Sequence, residues 1–100
     1  MSDRVFAALA DGNRRAMLET LSTHGTSTAT VLAADLTISR QAAAKHLGVL
    51  ADAGLVISSR HGRETRYETR PAALGEVTDW VATVQSAWSA RLDALGDTLA

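Results

Sequence analysis

Apolar residues recur at helical spacing through the first half of the chain. The clearest example is the segment "ATVLAADL", whose apolar residues fall at positions i, i+3, i+4 and i+7 of one helix face. Asp11, Thr28 and Ser39 each precede a segment of this kind, and their residue types favour helix N-caps. The pattern therefore predicts four helices, which cover "DRVFAALA" with Ser2 or Asp3 as its cap, "GNRRAMLETLS", "ATVLAADL" and residues 40–53.

The fourth predicted helix lies within "ISRQAAAKHLGVLADAGLV" and has two contrasting faces. At 3.6 residues per turn, Ala43, Leu47 and Leu50 face the core. Small residues on the other side would let a large partner approach closely, and long polar side chains in the first turn would reach base edges in a major groove. That side of the helix carries Arg40, Gln41, Ala44, Lys45 and Gly48.

The hydrophobic period changes after Gly54, a residue suited to ending a helix. The segment "LVISSRHGRETRYETR" is rich in β-branched and basic residues, which predicts a β-hairpin with its tip near His61 to Glu64. Two helices with a tight turn, the second basic, followed by a basic hairpin, are typical of a winged helix-turn-helix. We therefore predict a mainly α-helical single domain over residues 1–100, with a small β-hairpin wing (α+β).

A last helix is predicted to begin at Pro71, where the missing N–H costs nothing. Its apolar stripe is near-heptad and longer than one small domain can cover, so we expect part of it to pack against a second copy of the chain. Apolar residues of the first helix extend this surface. The predicted dimer interface consists of Phe6, Leu9, Val84, Trp88, Leu92 and Leu95, and the stripe also includes Leu74, Val77, Val81 and Leu99.

Composition adds little until the charges are located. The net charge is −1 and the chain has no cysteine, which excludes disulfides and thiolate metal sites and fits a cytoplasmic protein. Residues 40–70 hold six basic against three acidic residues, whereas residues 71–100 hold one against four. The N-terminus is interrupted early by charges and predicts neither a signal peptide nor a membrane span. The basic surplus thus falls on the predicted helix and wing.

Double-stranded DNA is therefore the predicted partner. Arg40 suits guanine, Gln41 suits adenine, and Lys45 suits a phosphate. The free N–H groups at the helix start, with Ser39, also suit a phosphate. The predicted DNA-binding residues are Ser39, Arg40, Gln41, Ala44 and Lys45 of the helix and Arg60, His61, Arg63 and Arg66 of the wing.

These segments, in this order, resemble the ArsR family of bacterial transcriptional repressors over nearly the whole chain. "LADGNRRAMLETL" is similar to the family's second helix, "ISRQAAAKHLGVLADAGLV" to its recognition segment, and "SSRHGRETRYETRP" to its wing. The resemblance implies a homodimer, built from the first and last helices, that represses by occupying a palindromic operator. The long last helix, with "DWVATVQSAWSARLDAL", resembles that of the metal-independent members, which keep a tryptophan in this helix.

The sequence departs from the family at several positions. Thr28 and Thr30 stand near the places of the family's metal-binding cysteines, and the last helix has no histidine, so no metal site or cofactor is carried over. The resemblance makes His46 a structural residue. Thr37 replaces the common turn glycine, which predicts a turn without positive φ.

Three other interpretations remain open at this point. An enzyme would require a catalytic set or a phosphate-binding loop, and the sequence shows neither pattern. A winged helix that serves only as a protein–protein adaptor would show no salt-dependent affinity for DNA. A repressor that responds to a metal or another ligand through an unrecognised effector site is the third.

Overall fold

The computed structural model describes residues 3–99, with side chains for residues 3–97, and these residues form α-helices and a small antiparallel sheet. Ser2 and the side chain of Leu99, both named above, lie outside the described part. The helices are α1 (Asp3–Leu9), α2 (Gly12–His24), α3 (Ala29–Leu36), α4 (Arg40–Asp52) and α5 (Gly75–Leu99), and the strands are β1 (Ser27–Thr28), β2 (Val56–His61) and β3 (Glu64–Thr69).

Three predicted N-caps are confirmed by their hydrogen bonds. The Asp11 carboxylate accepts from the backbone N–H groups of Asn13 at 2.8 Å and Arg14 at 3.2 Å. The Thr28 hydroxyl accepts from the third residue of α3 at 3.2 Å, and the Ser39 hydroxyl accepts from the third residue of α4 at 3.0 Å. Side-chain oxygens thus satisfy amides that helix geometry leaves without partners, and they fix where α2, α3 and α4 begin.

The sheet contains one strand more than the predicted hairpin. β2 and β3 form that hairpin, with Val56 opposite Thr69 at one end and His61 opposite Glu64 at the tip. The short β1 pairs antiparallel with β3, so the strand order is β1-β3-β2. Two residues are too few to show an alternating pattern, which is why β1 was not predicted.

The core sits between the first four helices and the base of the wing. The predicted inward face of α4 is confirmed, because Ala43, Leu47 and Leu50 are fully buried. At the end of α4, the N–H of Leu55 donates to the carbonyl of Leu50 at 2.9 Å, and Gly54 has φ +77°. This is a Schellman ending, and it turns the chain directly into β2. The remaining core is aliphatic and includes Val5, Met17, Leu21 and Leu32.

The start of the last helix differs from the prediction. Residues Pro71–Leu74 form a 3₁₀ turn, and the α-helix begins only at Gly75. Val77 packs against the core and Trp80 contacts α1, but α5 beyond Trp80 projects from the domain. The radius of gyration is 18.0 Å, compared with about 13 Å for a compact chain of this length. Most of α5 therefore extends beyond the surface that its own chain can cover.

Candidate nucleic-acid interface

The turn between α3 and α4 sets the position of the predicted recognition helix. Thr37 occupies the left-handed region with φ 57° and ψ 44°, so the prediction of a turn without positive φ is wrong. The N–H of Ile38 donates to the carbonyl of Ala33 at 3.0 Å, which closes the turn. Because glycine is the residue that adopts this conformation without strain, Thr37 carries a cost that the tight turn imposes.

One face of α4 is open along its length. Arg40, Gln41, Ala44, Lys45 and Gly48 are all exposed, opposite the buried face of the helix. A Cβ placed on Gly48 would meet no atom within 4 Å. The fold therefore does not require glycine at this position. Glycine even destabilises the interior of a helix, so its presence here has no explanation in the packing of the domain.

A groove runs between the beginnings of α3 and α4 and the wing. Arg40 and Ala44 line it from α4, and Arg60 and Arg63 line it from the wing. The lining also includes Thr28 of β1, Thr30 of α3, and Glu64 and Thr65 of β3. Three guanidinium groups from distant parts of the sequence thus meet at one concave surface, which suits an anionic ligand.

The other predicted wing residues lie on the opposite face of the hairpin. Side chains alternate along a strand, so Arg60 shares the groove face with Thr65, and its Nη1 donates to the Thr65 hydroxyl at 3.5 Å. His61 and Arg66 point to the outer face. There the His61 Nε2 lies 3.0 Å from the Ser59 hydroxyl. The structure therefore brings Arg60 and Arg63 to the groove beside α4 and leaves His61 and Arg66 away from it.

Sequence reasoning missed the role of Arg14. Its Nε donates to the carbonyl of Ala8 at 2.7 Å and its Nη2 to that of Ala7 at 3.2 Å. Its Nη1 lies 3.2 Å from His46 Nδ1, which must accept because a guanidinium has only donors. Arg14 thereby ties the end of α1 to α4. The position of Arg14, three residues after the predicted Asp11 cap, was the feature of the sequence that could have indicated this role.

The carboxyl group of Asp11 is held in its charged form by the same segment. The backbone N–H of Arg14, and then that of Asn13, donates to this carboxylate, and these hydrogen bonds keep the pKa of Asp11 below its ordinary value of 3.8. Folding thus favours the ionised form of the cap that begins α2.

The predicted dimer residues divide into two groups. Leu9 packs against the core and Phe6 contacts the ring of Trp80, so both have partners within their own chain. The other members of the set are exposed on α5: Val84 (48%), Trp88 (58%), Leu92 (48%) and Leu95 (50%). A large apolar stripe of this kind on a projecting helix is typical of a protein–protein contact.

Clusters of metal-binding side chains and membrane-spanning helices are both absent from residues 3–99. In this range, no three His, Cys, Asp or Glu side chains come close enough together to hold a metal ion. None of the helices in the same range combines the length and the hydropathy needed to cross a membrane.

Comparisons with known proteins agree with this geometry. A family model described as a helix-turn-helix domain matches residues 9–58. The HTH-type transcriptional regulator Rv2034 of Mycobacterium tuberculosis is 38% identical over 100 residues, which cover 95% of this chain and 92% of that protein.

Solved structures are similar over most of the chain. An ArsR-like transcriptional regulator from Rhodococcus sp. RHA1 has a TM-score of 0.84 and 39% identity, with 95% of this chain and 86% of that chain covered. The homodimeric winged helix-turn-helix DNA-binding domain of Mb0332 from Mycobacterium bovis has a TM-score of 0.64 and 29% identity, covering 87% and 77%. The chain therefore belongs to the ArsR family of winged helix-turn-helix, DNA-binding transcriptional regulators.

Proposed function

We propose that this regulator is a repressor that binds a palindromic operator as a homodimer, without a metal cofactor. The observation that carries the proposal is the arginine-lined groove beside the open face of α4. Arg40, Arg60 and Arg63 meet there, although the sequence separates the first from the last by more than twenty residues. Such a surface follows a phosphate backbone while the first turn of α4 enters the adjacent major groove.

Base reading is assigned to the first turn of α4. Arg40 and Gln41 are exposed there and are long enough to form paired hydrogen bonds with guanine and adenine. Lys45, one turn later, and the Ser39 end of α4 suit phosphates. Ala44 and Gly48 leave room for the helix to approach the floor of the groove.

Dimerisation is assigned to α5. Its exposed apolar stripe has the length and spacing of a helix-packing seam, and a second copy would cover it. The homodimeric state of the Mycobacterium bovis domain supports a homodimer, and the assignment to α5 rests on its exposed stripe. Two-fold symmetry of the protein would then require a palindromic DNA site.

Metal independence is proposed from the ligand chemistry of the sequence. The chain has no cysteine, and its three histidines lie in different parts of the fold, namely the end of α2, the middle of α4 and the wing tip. Zinc requires three or four converging ligands. Operator affinity should therefore be unchanged by EDTA or by added zinc at constant ionic strength, and a saturable loss of binding with micromolar zinc would contradict this part of the proposal.

Selection of bound fragments from random DNA tests the proposal directly. We expect an inverted repeat whose half-site centres lie about one or two helical turns apart. Transcription in vitro from a promoter that overlaps this site should fall when the protein is added, and a rise would indicate an activator. An adaptor without DNA affinity would enrich no sequence and would show no salt-dependent binding.

A further inference from the structure

The wing carries an acidic residue among its arginines. Glu64 begins β3 at the tip of the wing, where it borders the groove of Arg40, Arg60 and Arg63. Strand alternation places its side chain on the outer face, with Arg66. Its Oε2 accepts a hydrogen bond from the Nε of Arg66 at 3.3 Å, and both side chains are about half exposed. Arg66 is therefore engaged by a carboxylate on the outer face of the hairpin, although its charge would suit a phosphate.

We propose that Glu64 limits the affinity of the wing for DNA of any sequence by holding Arg66 away from the phosphates. This inference rests on the proposed DNA-binding function. An exposed ion pair of this kind is weak, but while it is formed the Arg66 guanidinium is not available to a phosphate. The pair therefore lowers DNA affinity, by roughly three- to fivefold per wing. Glu64 is thus a positioning residue that acts through Arg66.

The chain offers a matched control for this residue. Glu68 lies on the same strand and the same face as Arg66, two residues away in the other direction, and it is exposed. It does not line the groove and the Arg66 ion pair is with Glu64. Glu64→Gln and Glu68→Gln therefore make the same change in net charge at equal sequence distances from Arg66.

The test measures binding of random-sequence duplex DNA and of a selected operator by fluorescence anisotropy across a salt titration. Glu64→Gln should raise affinity for both DNAs by roughly three- to fivefold per bound wing and make the salt slope steeper by about one per wing, since Arg66 gains a phosphate. Glu68→Gln should change affinity by less than about twofold. In the double variant Glu64→Gln/Arg66→Ala, the salt slope should return to the wild-type value.

Several results would overturn the inference. Equal gains in DNA affinity from Glu64→Gln and Glu68→Gln would show that the effect comes from net charge alone. An unchanged slope in Glu64→Gln, or a steeper slope that persists in the double variant, would show that Arg66 is not what Glu64 holds. A selective loss of operator binding would instead make Glu64 a base-reading residue. Failure of the wild-type protein to bind either DNA would contradict the proposed function itself before any variant is compared.

Discussion

The ring of Phe6 contacts the ring of Trp80 edge-on, with centroids 5.5 Å apart and planes 77° apart. This geometry is favoured between aromatic rings, and it joins α1 to α5 within one chain. Trp88 lies eight residues further along α5, about 12 Å away along the helix axis, and is more exposed. The two tryptophans of the chain therefore have different surroundings, one against its own chain and the other open for a partner.

We expect Trp88→Ala to weaken the dimer. Truncating a large aromatic residue at the centre of a helix-packing seam should cost about 2 kcal/mol or more, which raises the dimer dissociation constant by roughly 30-fold. Sedimentation equilibrium over a range of concentrations measures this shift. Trp80→Ala is the matched control, because it should lower the free energy of unfolding by removing the Phe6 contact. A Trp88→Ala protein that stays fully dimeric at sub-micromolar concentration would contradict the assignment of the interface.

Base reading and backbone contact should separate in two alanine variants. Gln41→Ala should cost roughly 1–3 kcal/mol on the selected operator and much less on random DNA, because only the operator offers the matching base edge. Arg63→Ala should weaken both DNAs by similar factors and lower the salt slope by about one unit. A salt titration of both variants on both DNAs provides the comparison. Equal losses on the two DNAs for Gln41→Ala would mean that α4 is oriented differently in the major groove.

Gly48→Ala should change the stability of the protein and its affinity for DNA in opposite directions. The added methyl group has open space in the protein, and it should raise the free energy of unfolding by roughly 0.5–1 kcal/mol. We expect operator affinity to fall nevertheless, because the methyl group would project toward the DNA. Urea unfolding and operator binding on the same preparation test both parts. Unchanged affinity in a more stable variant would show that DNA does not approach this position closely.

Thr37→Gly should stabilise the turn before the recognition helix. Threonine at φ 57° places a β-branched side chain in the left-handed region, and glycine removes that strain. The greater freedom of glycine in the unfolded chain offsets part of the gain, so we expect a net increase of about 0.5–1 kcal/mol. Chemical denaturation measures this increase in the free energy of unfolding. Thr37→Ala should give a smaller gain, and a loss of stability in Thr37→Gly would mean that the threonine side chain makes a compensating contact.

Asp11 should make the stability of α2 depend on pH. Because folding lowers the pKa of this carboxyl below 3.8, its stabilisation is fully present above that value and is lost as the pH falls through the lowered pKa. Asp11→Asn retains an oxygen that can cap α2 but does not titrate. Comparing urea midpoints at about pH 5.5 and about pH 3 should show a smaller acid-induced loss in the variant than in the wild type. Equal losses would assign the pH dependence to other carboxylates.

Local patterns predicted the recognition helix well, and long-range packing explains what they missed. The spacing of Ala43, Leu47 and Leu50 and the hydroxyl of Ser39 were sufficient to orient α4, because caps and helix periodicity act within a few residues. Strand alternation separates Arg60 from Arg66, but only the packed structure shows which of the two faces α4. The Phe6–Trp80 contact joins residues more than seventy positions apart, so no local pattern could indicate it.

The contacts of α1 have a consequence for the spacing of the DNA site. Arg14 bonds the end of α1 to His46 of α4, and Phe6 contacts α5. The recognition helix and the proposed dimer helix are therefore joined through α1 by direct contacts, and not only through the wing that connects them along the chain. In a dimer built on α5, the distance between the two recognition helices would then be fixed. One inserted base pair between half-sites rotates one of them by roughly 35° and moves it by about 3.4 Å. The affinity of so rigid a dimer would depend on the length of the spacer as strictly as it depends on the base sequence of the half-sites.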